Sequence, residues 1–413
     1  MPRTIFHIDV NNAFLSWTAV ERLKQGEELD LRTIPSAISG ADNDRRGIIL
    51  AKSTPAKAFG ITTGEPTGMA LQKCKDLVFA PPDFALYSKV SKEMFAILEQ
   101  YSDRLEQFSI DEGFLEYTGM EKLFGEPLVA ATRIQKHIFD ELGFTVNIGI
   151  SSNKLLAKMA GELEKPNKIL TLYPEELEAK FWVQPVENLF MVGRRTAPKL
   201  KQMGIKTIGE LAKYPLPLLE REFKSFGYTL HAYANGIDDS PVAEAIEKET
   251  MKSIGNSTTI AHNVTTKEEA YKILLALSET VSMRLRCSGC ATLEVAVTLK
   301  DTEFHSYTHQ KKVFNAIDCT NAVYQEAKAC FDAAWKGEPL RLLGVRAGQL
   351  CGNDTTQLSL TDVDWSKEGK ADAAMDAIRL KYGKKTVVRS TFADGDENAY
   401  EGGKLKINNK IFK

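Results

Sequence analysis

Three acidic residues from two distant stretches of this chain could hold divalent metal. Asp9 closes an apolar run, Thr4–Val10 (TIFHIDV), and Asp111 and Glu112 stand side by side between two further strand-like runs. Carboxylates brought together repel and raise each other's pKa unless a cation lies among them. Mg²⁺ is the natural partner, because it takes oxygen ligands, keeps waters and shares its shell with phosphates. Two such ions about 3.5–4 Å apart stabilise both the attacking and the leaving oxygen of phosphoryl or nucleotidyl transfer. The spacing alone also admits a plainer reading, in which Asp9 caps the helix after it and Asp111-Glu112 is a turn.

A sheet must position these acids. Thr4–Val10 has the apolar density of a buried strand, and Gly47–Ala51 (GIILA) reads as another. Leu105–Ile110 and Gly113–Tyr117 are strand-like runs joined through Asp111-Glu112, and Thr145–Ile150 (TVNIGI) alternates as a strand does. Helices are expected over Asn12–Lys24, Thr54–Phe59, Gly68–Lys75, Tyr87–Tyr101 and Leu128–Leu142. A further helix follows Ser152 or Asn153 as its cap, and Pro166 stops it. From residue 4 to 165 the order is strand, insertion, helix, strand, strand, helix, strand, helix. Without the insertion this is a ferredoxin-like βαββαβ layer, in which the first strand lies beside the hairpin and the acids meet at one edge. Residues 174–240 read as entirely helical, punctuated by Gly193, Gly204, Gly227 and Gly236. Residues 252–350 return to mixed α/β, with a strand at 291–299 and a helix at 320–335. Beyond about 366 the chain is polar and ends in a lysine-rich tail.

At 413 residues the chain is too long for one ordinary domain. Its formal net charge is −2, so any basic surface must be local. Six scattered cysteines fit a reducing cytosol better than a disulfide framework. The N-terminal apolar run is too short for a signal peptide, and no stretch approaches the ~18 apolar residues of a membrane helix. A cytoplasmic protein is expected. Cys287 and Cys290 have CxxC spacing, but no second pair follows, and a helix-ending glycine turn accounts for them.

The words around the acids are more specific than the acids. FHIDVNNAF (6–14), GITTGEPTGMAL (60–71), FSIDEGFLEYT (108–118), NIGISSNKLLAKMAGELEKPN (147–167) and a helix-hairpin-helix-like stretch (186–214) occur in that order. The chain resembles the Y family of translesion DNA polymerases, in particular the bacterial DinB group, over about residues 4 to 380. The resemblance implies a multidomain α/β (α+β) right-hand polymerase. Its ferredoxin-like palm would comprise 1–11 and 76–166, small fingers 12–75, a helical thumb 167–240, an α/β little finger 241–355 and a tail 356–413. It implies error-tolerant, template-directed addition of deoxynucleotides to a primer 3′-OH, without proofreading.

Carried onto matching positions, the resemblance makes Asp9 and Asp111 ligands of two Mg²⁺ ions, with Mn²⁺ a substitute. Glu112 would ligand the catalytic ion and the Val10 carbonyl the nucleotide-side ion. Phe14 matches the steric gate, a ring against the sugar that leaves room for hydrogen but not hydroxyl; position alone would make it an ordinary core aromatic. Lys165 matches the lysine that holds the triphosphate. Lys57 stands where the family usually has arginine and Thr54 where it has tyrosine; lysine lacks arginine's bidentate fork. Lys52 is a candidate to compensate. Gly193, Arg194, Arg195 and Lys199, with Lys201 and Lys206, would grip DNA phosphates without reading sequence. Met191 replaces the first glycine of that hairpin. Gln357, Leu358 and Leu360, in QLSLTD (357–362), resemble the peptide that docks on a sliding clamp. The expected partners are primer-template DNA, dNTP and the clamp, with the protein acting as a monomer away from membranes. Two alternatives stay open: a nucleotide cyclase with a related palm, and a non-catalytic DNA- or clamp-binding relative. Residues 174–360 are superfluous to a cyclase, and the survival of Asp9, Phe14, Asp111, Glu112 and Lys165 argues against decay.

Overall fold

The computed structural model describes residues 3–40, 47–243, 251–353, 365–383 and 386–392. The chain divides into two compact units, one of Met1–Asn43 with Gly47–Lys248 and one essentially of Glu249–Lys413. The expected clamp peptide, Gln357, Leu358 and Leu360, lies outside the described residues.

In the first unit, β1 (Ile5–Val10) leads into α1 (Ala13–Lys24). An insertion follows, made of β2 (Ser36–Ser39), β3 (Ile49–Lys52), α2 (Thr54–Ala58), α3 (Thr67–Lys73) and β4 (Val78–Ala80). Its three strands run in the order β3-β2-β4, with β2 parallel to β4, around a small core of Ala37, Ile49, Ala56, Ile61 and Leu77. The chain continues through α4 (Phe84–Leu98), β5 (Leu105–Gln107), β6 (Glu112–Glu116), α5 (Glu121–Phe124), α6 (Pro127–Leu142), β7 (Val146–Ser151), α7 (Lys154–Leu163) and β8 (Ile169–Thr171). These build a sheet in the order β5-β6-β1-β7-β8, with β1 antiparallel to both β6 and β7. The order β5-β6-β1-β7 is the ferredoxin-like one, and β8 adds a parallel edge beside β7.

Strand alternation gives this sheet two unlike faces. Phe6, Ile8 and Val10 enter the main core with Ile148 and Ile150 of β7, Tyr87 and Leu98 of α4, and Ile134 and Ile138 of α6. His7 and Asp9 point the other way, toward α7. Asn153 caps α7 as expected, its side chain accepting from the Leu156 backbone N–H. The outer face of α7 (Leu155, Leu156, Met159) packs into a helical lobe whose core holds Phe181, Val186, Leu200, Ile208, Leu219 and Leu230. That lobe comprises short 3₁₀ and π turns and α8 (Thr196–Gln202), α9 (Ile208–Ala212), α10 (Leu216–Phe223) and α11 (Ser225–Ala234).

The second unit holds β9 (Ser253–Val264), α12 (Lys267–Cys287), β10 (Cys290–Asp301), β11 (Ser306–Ile317), α13 (Thr320–Ala334), β12 (Leu340–Gly352) and α14 (Ser366–Tyr382). Its antiparallel sheet has the order β11-β10-β12-β9. Val295, Val297 and Leu299 of β10, with Leu343 and Val345 of β12, form a core with α12 and α13. The alternate residues face away from those helices: Ala296 stands opposite Gln310 and Arg346, and Glu294 opposite Lys312. Ion pairs join α14 to α12, with Arg286 bonded to Asp376 (2.7 Å) and Arg379 to Glu279 (3.3 Å).

Candidate active site

The sheet brings the three acids to one corner. Asp9 and Glu112 are directly opposed on the β1–β6 ladder, so their side chains leave the same face. The backbone N–H of Val10 donates to the Asp111 carbonyl at 3.0 Å, which ties the end of β1 to the residue before β6. Ser109 fixes the turn: its hydroxyl donates to Asp111 Oδ1 (2.6 Å) and accepts from the backbone N–H groups of Asp111 and Glu112.

Asp9, Val10 and Asp111 line a cavity of about 350 Å³, together with Phe14, Lys57, Lys165, Lys52 and Thr54. The Phe14 ring lies stacked on Tyr87, centroids 4.3 Å apart and planes 4° apart. It is therefore both core-packed and cavity-lining. Lys165 Nζ donates to Asp9 Oδ2 and Glu162 Oε1, each at 2.7 Å. The fold places Lys52 and Lys57 close enough that Lys57, after burial, helps push the Lys52 pKa down.

Glu112 is not in that cavity wall. It is held by Lys158 Nζ at 2.5 Å and by His7 Nε2 at 3.1 Å. Sequence reasoning missed both partners. His7 lies two residues before Asp9 on one strand, so period-two alternation would have put it on the acids' face. Lys158 sits on the helix covering that face, and its charge amid apolar neighbours was the available signal. His7 is fully buried, and its Nδ1 has no hydrogen-bond partner.

Burial and cations pull the acids in opposite directions. For Asp9, burial dominates and raises the carboxyl pKa, with Lys165 opposing. For Glu112, burial also raises it, but bonds from His7 and Lys158 outweigh burial and hold the carboxyl at about 2. The Lys165 ammonium is one-third exposed, and such pairs are worth about 0–1 kcal/mol. The Lys158–Glu112 pair, at 13% and 15% exposure, is a tighter, charge-assisted contact, of a kind worth about 1.5–3 kcal/mol.

These signs predict opposite melting shifts in the metal-free protein at neutral pH. A raised carboxyl pKa means that the charged form costs stability above it, so Asp9→Asn should raise the melting temperature. A lowered pKa means that Glu112 stabilises the fold above its ordinary 4.5, and that this is lost as pH falls toward 2. Glu112→Gln should therefore lower the melting temperature at pH 7 and converge on the parent as pH falls through about 2. Calorimetry on both variants across pH checks the pair of signs.

α7 is pinned to the sheet. A Cβ on Gly149 would sit 2.0 Å from the Ala157 carbonyl oxygen and 2.4 Å from the Gly161 nitrogen. The buried Asn147 amide donates to the carbonyls of Gly161 (2.9 Å) and Glu164 (2.7 Å), and Asn11 Oδ1 accepts from the Asn167 backbone N–H (2.9 Å). This network fixes the turn that carries Lys165 over Asp9.

In the helical lobe, Gly193 lies in the turn before α8, and its carbonyl accepts from the backbone N–H groups of Thr196 and Ala197. Arg194, Arg195 and Lys199 are exposed there. The sequence shows no acid within this basic cluster, yet folding supplies two: Lys199 reaches Glu222 (3.4 Å) and Lys201 reaches Glu187 (2.7 Å). Met191 is exposed and adopts φ 74°, a left-handed conformation that favours glycine. Cys287 ends α12 and Cys290 begins β10 across a turn at Gly289, and all six cysteines are free. Among the described residues, no group of three His, Cys, Asp or Glu converges closely enough to hold an ion unaided.

Three family models match. The impB/mucB/samB family covers residues 8–162, the C-terminal domain of that family 251–360, and a thumb domain described for DNA polymerase-iota 187–238. The DNA polymerase IV of Clostridium acetobutylicum is 44% identical over 402 residues, spanning 96% of this chain and 100% of that protein. The DNA polymerase IV 2 of Bacillus subtilis is 34% identical over 406 residues, spanning 97% of each. A solved Y-family DNA polymerase chimera aligns with TM-score 0.72 at 20% identity, over 85% of this chain and all of that one, a likeness of fold.

Proposed function

The chain belongs to the impB/mucB/samB family of Y-family DNA polymerases, and from that premise we propose that it performs two-metal nucleotidyl transfer at the corner formed by Asp9, Asp111 and Glu112. It is a DNA-directed DNA polymerase of the translesion class. The observation that carries the finer reading is the placement of Asp9 and Asp111 in the wall of one cavity, with Phe14 and Lys165.

The residues fit a pair of hard divalent ions. Their donors are carboxylate oxygens, with the Val10 carbonyl as a proposed further donor, which suits Mg²⁺ or Mn²⁺. Lysine ammonium groups already sit on Asp9 and Glu112, so both positions favour positive charge. When bound, the ions would lower the pKa of the primer 3′-OH and offset charge on the leaving pyrophosphate.

The chain's own residues supply the rest. Lys165 would exchange Asp9 for the incoming triphosphate; its ammonium is one-third exposed, so solvent screening weakens the bond it gives up. Lys57 and Lys52 present two more cations to the same cavity, as point charges where an arginine would give a fork. The stacked Phe14 ring would lie against the sugar and exclude a 2′-OH. Residues 1–11 and 76–166 act as palm, 12–75 as fingers, 167–240 as thumb and 241–355 as little finger. Gly193, Arg194, Arg195 and Lys199 would meet backbone phosphates, and so would the sheet face that bears Lys312 and Arg346 and is turned from α12 and α13. Gln357, Leu358 and Leu360 would dock on a sliding clamp. The polymerase would work as a monomer in the cytoplasm.

Extension of a primed template by the purified protein, with Mg²⁺ or Mn²⁺ and all four dNTPs, tests this reading. The expected result is distributive extension that chelator abolishes and either metal restores. Extension that persists in excess chelator, or dNTP-dependent product without a template, would remove the proposal.

A further inference from the structure

The setting of Lys158 is that of a built cation site. Its ammonium touches Glu112 Oε2 at 2.5 Å and lies 3.5 Å from His7 Nε2. Two aromatic rings flank it, Phe108 at 5.4 Å and Phe190 at 5.5 Å from their centroids. Cation–π attraction and a charge-assisted hydrogen bond therefore act on one group. The same carboxylate oxygen that receives Lys158 also receives His7, so Glu112 turns away from the cavity that Asp9 and Asp111 line.

A second resting place exists. A cleft of about 350 Å³ opens beside Lys158, lined also by Glu162, Gln184, Asn188 and Phe190. Glu162 is four residues along α7, the spacing at which helix side chains meet. It now accepts from Lys165, which the reading above sends to the triphosphate, leaving that carboxylate to Lys158.

We propose that Lys158 is a positioning residue, the resident counter-cation of Glu112, which a divalent ion must displace before Glu112 can serve as a ligand. The displaced ammonium moves across the cleft to Glu162. Without metal, the lysine keeps a half-buried carboxylate oriented. With metal, a +2 ion inherits a site already shaped for positive charge. The exchange involves no covalent change and moves no proton. It rests on the assignment of Glu112 as a metal ligand.

Manganese binding to the full-length, DNA-free protein, followed by loss of the free Mn²⁺ EPR signal, tests it without reference to activity. Lys158→Met keeps the stem between the two rings and removes the charge. It should tighten Mn²⁺ binding at one site by about tenfold, the scale of one charge-assisted contact. Lys158→Gln carries the same expectation, and Lys158→Arg, which keeps the cation, should bind as the parent does. Adding Glu112→Gln to Lys158→Met should erase the gain. If Glu112→Gln weakens Mn²⁺ binding but neither neutral variant strengthens it, the exchange is refuted and the metal assignment stands. If Glu112→Gln changes Mn²⁺ binding in neither background, the assignment and the exchange fall together.

Discussion

Asp111→Ala should lower the rate of primer extension by about 10³-fold or more, the scale at which removing one preorganised electrostatic group acts. The fold has little stake in this side chain. It lines the cavity, and among the described residues its side chain is held by the 2.6 Å hydrogen bond from the Ser109 hydroxyl. The contact that joins β1 to the β6 corner uses the Asp111 backbone carbonyl, which alanine keeps. The loss should therefore fall on the rate, with a melting temperature within a few degrees of the parent. Single-turnover extension at saturating Mg²⁺ separates the two. A rate within about tenfold of the parent would mean that Asp111 ligands no ion.

Phe14→Ala should change what is incorporated more than how fast. The ring is held at 4.3 Å from Tyr87 and nearly parallel to it, so moving aside for a larger sugar would break that stack. Removing it opens the cavity beside Asp9 while leaving the carboxylates in place. Ribonucleotide incorporation relative to deoxynucleotide should rise by about 10²-fold, as expected when a steric exclusion is lifted. Deoxynucleotide addition should continue. The lost stack costs about 0.5–1.5 kcal/mol of stability beyond the area uncovered. Competing dNTP and rNTP extension on one template reads the ratio. An unchanged ratio would return Phe14 to the role of a core aromatic.

The sheet was legible where apolar alternation was strong. Ile5–Val10 and Val146–Ser151 both lie within a residue or so of where their patterns place them, and the Asn153 cap is present. β11 was not legible, because most of its residues are exposed and no apolar period marks the strand. β2 and β4, at four and three residues, are too short to show a period at all. In the site, the carboxylates were visible as residues, but their counter-ions were not. Lys158 meets Glu112 across 46 positions, and Lys201 meets Glu187 across 14. Charge in the linear chain says nothing about which acid a fold will bring to which base. The resemblance to the Y family located the site; the pairing of Glu112 away from the cavity came from packing.

The helix that carries Lys158 leads directly to Lys165, and it is seated against Gly149, where a single added carbon would overlap the backbone of that helix. A saturation screen scored by survival under DNA damage would therefore rank position 149 with the acids themselves, although its missing side chain touches no nucleotide. Loss of function at a site does not separate a residue that reacts from a void that must stay empty. Among the described glycines, the one where an added carbon would come closest to another atom is a position that offers no chemistry.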